Sequence, residues 1–260
     1  MPRRAPLAFA LALAVAVLPV RAARPDELSV DPVATAAVAG GALAVWGVSA
    51  LLKDELTPPT CRWCAPPSLD AGARARLRWT DPGAAGTLSD ALVLALPASL
   101  LVWDHLRGGG DFQRTGEDAL VVVEAVAFSS VATQVLKYAT ARRRPYALTS
   151  GRSGPDDDNS FPSGHASLAF ASAAAFGTVA KLRGDAAWPF VYAAGFAGAA
   201  VVAYLRVAAD KHWLTDVAAG AALGAAIGVA TPLLLHRRED PARSPGVVVT
   251  PLPLGVAGVF

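Results

Sequence analysis

Lys137 stands seven positions before Arg144, which Pro145 follows. Pro162-Ser163-Gly164-His165 comes next, and Arg206, His212 and Asp216 close the series with five and then three residues between them. These positions offer three fixed cations, two imidazoles and a carboxylate, a set suited to holding a phosphate and cleaving its ester. A phosphate monoester carries nearly two negative charges, and its transition state spreads charge over three equatorial oxygens. Catalysis of that reaction is mainly positioning and electrostatic stabilisation. Lys137, Arg144 and Arg206 can supply the positive charge without a divalent metal, arginine as a forked grip and lysine as a point charge. Pro162-Ser163-Gly164 reads as a helix start, whose first N–H groups lack intrahelical partners and attract an anion. Ser163 adds a hydroxyl, and Gly164 lets an oxyanion approach the backbone closely. His212 and Asp216, four apart, share a face if a helix has already begun there.

Taken together, K-x6-RP, PSGH and R-x5-H-x3-D, in that order, resemble the signature of the type 2 phosphatidic acid phosphatase and vanadium haloperoxidase superfamily. The resemblance covers residues 137–216 directly and the flanking apolar segments by pattern. One departure is visible: the last motif usually begins Ser-Arg, and here Leu205 precedes Arg206. The resemblance implies a phosphate pocket of Lys137, Arg144, Ser163, Gly164 and Arg206. It also implies that His212 attacks phosphorus to form a phosphohistidine, with Asp216 fixing its tautomer through the other ring nitrogen. His165 then protonates the leaving alkoxide and later activates water. Neither metal nor organic cofactor is called for. The substrate class it implies is a lipid phosphate, with phosphatidic acid, phosphatidylglycerol phosphate, an isoprenyl pyrophosphate and a lipid A phosphate all fitting one pocket.

Alone, each residue has a plainer reading. A lysine or arginine at a helix end is usually an interfacial anchor, and His212 beside Trp213 suits a membrane interface. The joint arrangement overturns those readings. Arg142 and Arg143 lie off the motif and are expected to meet lipid headgroups or solvent. His105 and His236 abut segment ends and are read as structural. Asp156-Asp157-Asp158 lies beside Gly154 and Pro155 just before a helix, which fits turn and capping chemistry better than a metal site. Cys61-Arg62-Trp63-Cys64 has no second pair to make a zinc site, and suits a short disulfide in an oxidising compartment. Arg74, Arg76, Arg78 and Trp79 read as an amphipathic stretch on the lipid surface.

The elements that position these residues follow from composition. Of 260 residues, 53% are hydrophobic and only 17% charged, against about 25% charged in soluble domains. Apolar stretches recur at 5–20, 32–52, 88–103, 118–136, 164–180, 188–204 and 213–235, several near the ~20 residues that cross a bilayer. The expected fold is an all-α polytopic membrane bundle of about six core helices. Small residues at 195–199 and from Gly220 to Gly228 allow close helix packing. A net charge of +2 gives no reason to expect a nucleic-acid partner. Residues 1–23 resemble a secretory signal, with an uncleaved anchor as the alternative. Residues 24–236 form the membrane domain, and 237–260 a proline-rich tail that is either unstructured or a small strand pair.

Counting crossings from 32–52 puts the loops 53–87, 137–163 and 205–212 on one face, so all three motifs converge. Pro145 disfavours helix at Arg144 and is expected to end the third helix there. A cytoplasmic N-terminus with 32–52 crossing makes the motif face extracytoplasmic, whereas cleavage of 5–20 reverses it. The expectation adopted is a bacterial-type inner membrane protein with the site on its periplasmic face. Three other readings remain at this point: a vanadate haloperoxidase, a soluble secreted acid phosphatase, and a non-catalytic phospholipid-binding or transport protein. The many apolar spans weigh against the first two, and the intact histidines with Asp216 weigh against the third.

Overall fold

The computed structural model describes residues 28–150, 154–237, 248–252 and 255–259. The signal-like segment lies outside the described residues. Six long helices make the bundle: α1 (Pro32–Leu51), α4 (Pro82–Arg107), α5 (Phe112–Thr140), α7 (Gly164–Leu182), α8 (Trp188–Ala208) and α9 (Leu214–Leu235). Short helices α2 (Lys53–Leu56), α3 (Ser68–Leu77) and α6 (Ala147–Ser150) lie in the connections. In the tail, β1 (Val248–Leu252) and β2 (Gly255–Val259) pair antiparallel, with Val248 opposite Val259. This is the strand-pair alternative.

Aspartates set three of the helix starts. Asp31 accepts from the N–H groups of Val33 and Ala34, Asp81 from Ala84, and Asp111 from Gln113 and Arg114. Each satisfies donors that the first turn leaves open, and Pro32 and Pro82 occupy the first helical position, where no N–H is needed. Because the caps lie outside the apolar stretches, α4 and α5 run several residues beyond 88–103 and 118–136 at both ends. Asp90 therefore sits well inside helix α4.

Five of the six long helices are long and apolar enough to cross a membrane, α7 being the exception. The chain is a multi-pass membrane protein. α7 packs against α4, α5, α8 and α9 and buries most of its length, including the unbroken run 171–180. A helix surrounded by protein can carry hydroxyls that a lipid-facing one could not. Ser167 bonds Ser129 (2.5 Å) and Thr133 (3.0 Å), and Thr178 bonds Tyr192 (2.6 Å). α1, by contrast, packs on α5 at the periphery and exposes Val33, Val45 and Leu51, a surface suited to acyl chains.

The small residues act as expected. A Cβ at Gly220, Gly224 or Gly228 would collide with the backbone oxygens of Ser163, Ser167 and Ala171 respectively, so α9 lies directly on the backbone of α7. Gly195 likewise faces Ala173, and Gly198 faces Leu96.

The two ends of the bundle match the counted topology. At one end Arg107 pairs with Asp185 (2.8 Å), Arg183 with Asp118 (2.7 Å), and His105 meets Thr115 (3.0 Å). His236 pairs with Glu124 at 2.6 Å, both buried, which gives it a structural partner. At the other end the three motif-bearing connections interlock.

Candidate active site

Helix α5 ends earlier than Pro145 alone suggested. Ala141 adopts a left-handed conformation (φ 41°, ψ 52°) and its N–H closes on the Lys137 carbonyl at 2.9 Å. The chain then runs extended past Trp63: Arg62 N–H bonds Ala141 O (3.0 Å), and Arg143 N–H bonds Trp63 O (3.1 Å). Cys61 and Cys64 form the expected disulfide around this stretch.

That early ending overturns the reading of Arg142. It is not at the lipid surface but only 1% exposed. Its guanidinium lies between two fully buried carboxylates, 2.5 Å from Asp70 and 2.5 Å from Asp216, and also donates to Thr215 Oγ1 (2.7 Å). Trp63 covers it at 3.6 Å from the ring centroid. Asp70 takes both the N–H (2.9 Å) and hydroxyl (2.7 Å) of Thr215, fastening α3 to the start of α9. Arg143 is partly buried and pairs with Asp158 at 3.1 Å, which corrects its reading too. The stretch after Asp70 is likewise tied to protein rather than lying free on lipid. Arg74 grips Asp210 with two bonds (2.6 and 2.7 Å), Arg78 joins it at 3.2 Å, and Trp79 donates to Tyr204 (2.9 Å). Arg76 and Arg78 keep exposed positions.

His212 sits at the centre, 2% exposed. Its Nδ1 lies 2.8 Å from the Ser160 carbonyl and 3.6 Å from Asp216 Oδ2. The hydrogen-bond partner that fixes the tautomer is therefore the backbone carbonyl, since a carbonyl can only accept. The aspartate acts one step removed: Ser160 Oγ donates to Asp216 Oδ2 (2.5 Å), and Trp213 N–H donates to the same oxygen (2.8 Å). With Nδ1 protonated, Nε2 keeps its lone pair, and it points at Arg144 Nη1 3.3 Å away. Arg144 is itself braced by the carbonyls of Asp156 (2.7 Å), Lys211 (3.0 Å) and Asn159 (3.1 Å). Burial first, then the cations Arg144, Arg206 and Lys137, hold the His212 imidazole well below its ordinary pKa. It is neutral at pH 7.

Ser163 caps α7 as expected, its hydroxyl near Ala166 N at 3.5 Å. Its own N–H, however, bonds the Asp216 carbonyl at 3.0 Å, so it is committed to holding α9 against α7 instead of facing a ligand. Gly164 faces Lys137: a Cβ there would lie 3.9 Å from the ammonium. Arg206 is buried, donating from Nη1 to Ser89 Oγ (3.0 Å) and Asp90 Oδ1 (2.9 Å), while its Nε has no partner. His165 Nε2 meets the same Asp90 oxygen at 2.8 Å. Leu205, in the usual serine position, packs in the core beside Ala85 and Ala208. The three aspartates before the site are each engaged: Asp156 with Lys53 (2.9 Å), Asp157 with Gly154 N–H (3.0 Å) and Asp158 with Arg143.

Residues 118–240 match the family model described as the PAP2 superfamily. That segment, just under half of the chain, is similar to members of that superfamily. The matched segment holds all eight motif residues, with Lys137 on α5, Gly164 and His165 on α7, Arg206 on α8, Asp216 on α9, and Arg144, Ser163 and His212 in the connections, and it leaves out Trp63, Asp70 and Asp90. Among curated proteins the chain is 30% identical over 155 residues to a lipid A 1-phosphatase of Porphyromonas gingivalis, an alignment covering 58% of this chain and 32% of that protein. It is 31% identical over 116 residues to an undecaprenyl-diphosphatase of Sulfolobus acidocaldarius, covering 44% and 53%. The chain thus spans about a third and about half of the lengths of these relatives. Among solved structures it resembles the PAP2 type phosphatidylglycerolphosphate phosphatase of Bacillus subtilis at 19% identity. That match has a TM-score of 0.46 and covers 76% of this chain and 93% of the other.

The sequence named eight residues as the candidate site. Ser160, Arg142, Asp70 and Asp90 were missed, and they are the residues that hold the motif side chains. Arg142 carried a weak signal in its place two residues before Arg144, masked by the expectation that the helix continued. Ser160 and Asp90 carried none.

Proposed function

We propose that this chain is a metal-independent phosphatase that removes phosphate from a lipid at the membrane–water interface. The observation that carries the reading is the arrangement at His212: an unprotonated Nε2 fixed by a backbone bond on Nδ1, facing a braced arginine, in a pocket that also holds Lys137 and Arg206. A phosphate seated among Lys137, Arg144, Arg206 and the Gly164 end of α7 would have its phosphorus within reach of that lone pair. His212 Nε2 attacks phosphorus and the P–O ester bond breaks. His165 gives its proton to the departing oxygen, then takes one from the water that attacks the phosphohistidine. Asp216, 3.6 Å from His212 Nδ1, stabilises the cationic ring that forms. Lys137, Arg144 and Arg206 supply the charge that a metal would otherwise provide.

Lipid is the favoured substrate because the site lies at the end of apolar helices, where an amphiphile presents its headgroup. The names of both curated relatives, which describe enzymes of lipid phosphates, support the same class. The test is phosphate release from a panel of lipid phosphates by the full chain in detergent micelles. Activity that survives excess EDTA and is lost in His212→Asn is expected. Activity abolished by EDTA and restored by Mg²⁺ or Zn²⁺ would refute the metal-free mechanism.

A further inference from the structure

Asp90 has no place in the chemistry just described, yet it touches two of its members. It lies on α4, outside the segment that matches the family model. One oxygen, Oδ1, is 2.8 Å from His165 Nε2 and 2.9 Å from Arg206 Nη1. The Arg206 side chain is buried and that of His165 partly buried, whereas that of Asp90 is 63% exposed. A carboxylate therefore reaches in from the mouth and stands against the nitrogen through which His165 would protonate a leaving oxygen.

We propose that Asp90 is a specificity-determining residue that admits phosphate monoesters whose leaving group departs as an alcohol and disfavours diphosphates. The inference rests on the phosphatase reading and on His165 as its general acid. When substrate binds, the leaving oxygen must take the position on His165 Nε2 that Asp90 Oδ1 holds, so the carboxylate moves beside the leaving group. In monoester cleavage the P–O bond breaks and the His165 proton passes to that oxygen. The product is a neutral alcohol whose O–H can donate to Asp90. In diphosphate cleavage the group that departs is itself a phosphate monoester. It brings up to two negative charges against the carboxylate and, once ionised, offers no proton to share. Arg206 does not remove the conflict, because Asp90 already draws on the same Nη1. Like charges at a half-exposed site cost enough to shift a rate ratio roughly tenfold, and salt screens part of that.

A matched pair of substrates isolates the effect: dioctanoyl phosphatidic acid, and the diphosphate of the same diacylglycerol, with the full chain in detergent micelles. The wild-type protein is expected to favour the monophosphate in kcat/KM. Asp90→Asn, which keeps the shape and removes the charge, should narrow that preference about tenfold, even if both rates fall. Asp90→Glu should keep it. In the wild-type protein the preference should also weaken as ionic strength rises, a readout that needs no variant. Wild-type preference for the diphosphate, or a ratio unmoved by both Asp90→Asn and salt, would overturn the proposal while leaving the phosphatase reading intact. No phosphate release by the wild-type protein from either of these lipids or from any in the wider panel would instead overturn the phosphatase reading itself.

Discussion

Arg142 is the cation on which two fully buried carboxylates depend, and its removal tests the support of the site apart from its chemistry. Arg142→Leu leaves Asp70 and Asp216 without their shared partner. Breaking a buried pair in this way costs about 3–5 kcal/mol, so a large fall in melting temperature is expected. Arg142→Lys keeps the charge but cannot fork between two acids. It should retain the fold and lose turnover on every substrate alike, which parallel thermal melts and phosphate-release assays would read. The two histidines separate by leaving group. His212→Asn should abolish turnover for all substrates. His165→Asn should slow a lipid alkoxide far more than the first burst of a nitrophenyl ester, whose phenolate leaves without a proton. Equal damage to both would remove the general-acid role. His212 also predicts a pH effect on stability. Its folded pKa is depressed, so below the ordinary value of about 6.5 the unfolded chain binds a proton that the folded one refuses. Stability falls as pH drops through that range, and in His212→Asn that part of the loss should disappear. At this scale the charged groups of the motifs were legible because their types and spacing suit one chemistry. Their supports were not, since Ser160 and Asp90 matter only through a distance that a sequence does not state.

Helix starts and contacts divide in the same way. The caps at Asp31, Asp81 and Asp111 could be read in principle, but the apolar windows on which spans were counted stop short of them. The left-handed turn at Ala141 has no glycine to announce it; the pairing of the next residues with the 61–64 loop imposes it. Gly220, Gly224 and Gly228 were legible, since small residues four apart allow one helix to lie on another. A contrast tests their role. Gly224→Leu drives a side chain into the Ser167 carbonyl and should prevent stable folding. Gly47→Leu on α1, where a Cβ meets nothing within 4 Å, should leave the melting temperature nearly unchanged in micelles. The disulfide acts on the site through Trp63, which covers Arg142 and pairs with its strand. Closing so short a loop contributes about 2 kcal/mol by chain entropy. The double variant Cys61→Ser, Cys64→Ser, or the reduced wild-type protein, should melt several degrees lower.

For the whole molecule, the sequence settled convergence but not direction. Counting spans placed the three motifs at one end of the bundle whichever way the bundle faced, and the contacts among Trp63, Asp70, Arg142, Asp210 and Thr215 bear that out. Sidedness depends on residues 1–27, and basic residues are nearly balanced between the two ends, so the positive-inside rule gives little direction. The disulfide supplies the missing asymmetry. Cys61 and Cys64 lie on the same end as His212, and a disulfide persists on the oxidising side of a cell membrane and is rare on the cytoplasmic one. The site end is therefore expected to face outward, in the periplasm if the cell has one. Thr149, exposed on α6 at that end, offers a position for a reporter. In a chain carrying Cys61→Ser, Cys64→Ser and Thr149→Cys, a membrane-impermeant maleimide of a size that passes any outer membrane should label intact cells. A cysteine at exposed Phe112, at the opposite end, should label only after lysis. The reverse pattern would put the site in the cytoplasm and would mean that the disulfide forms only after the cell is opened.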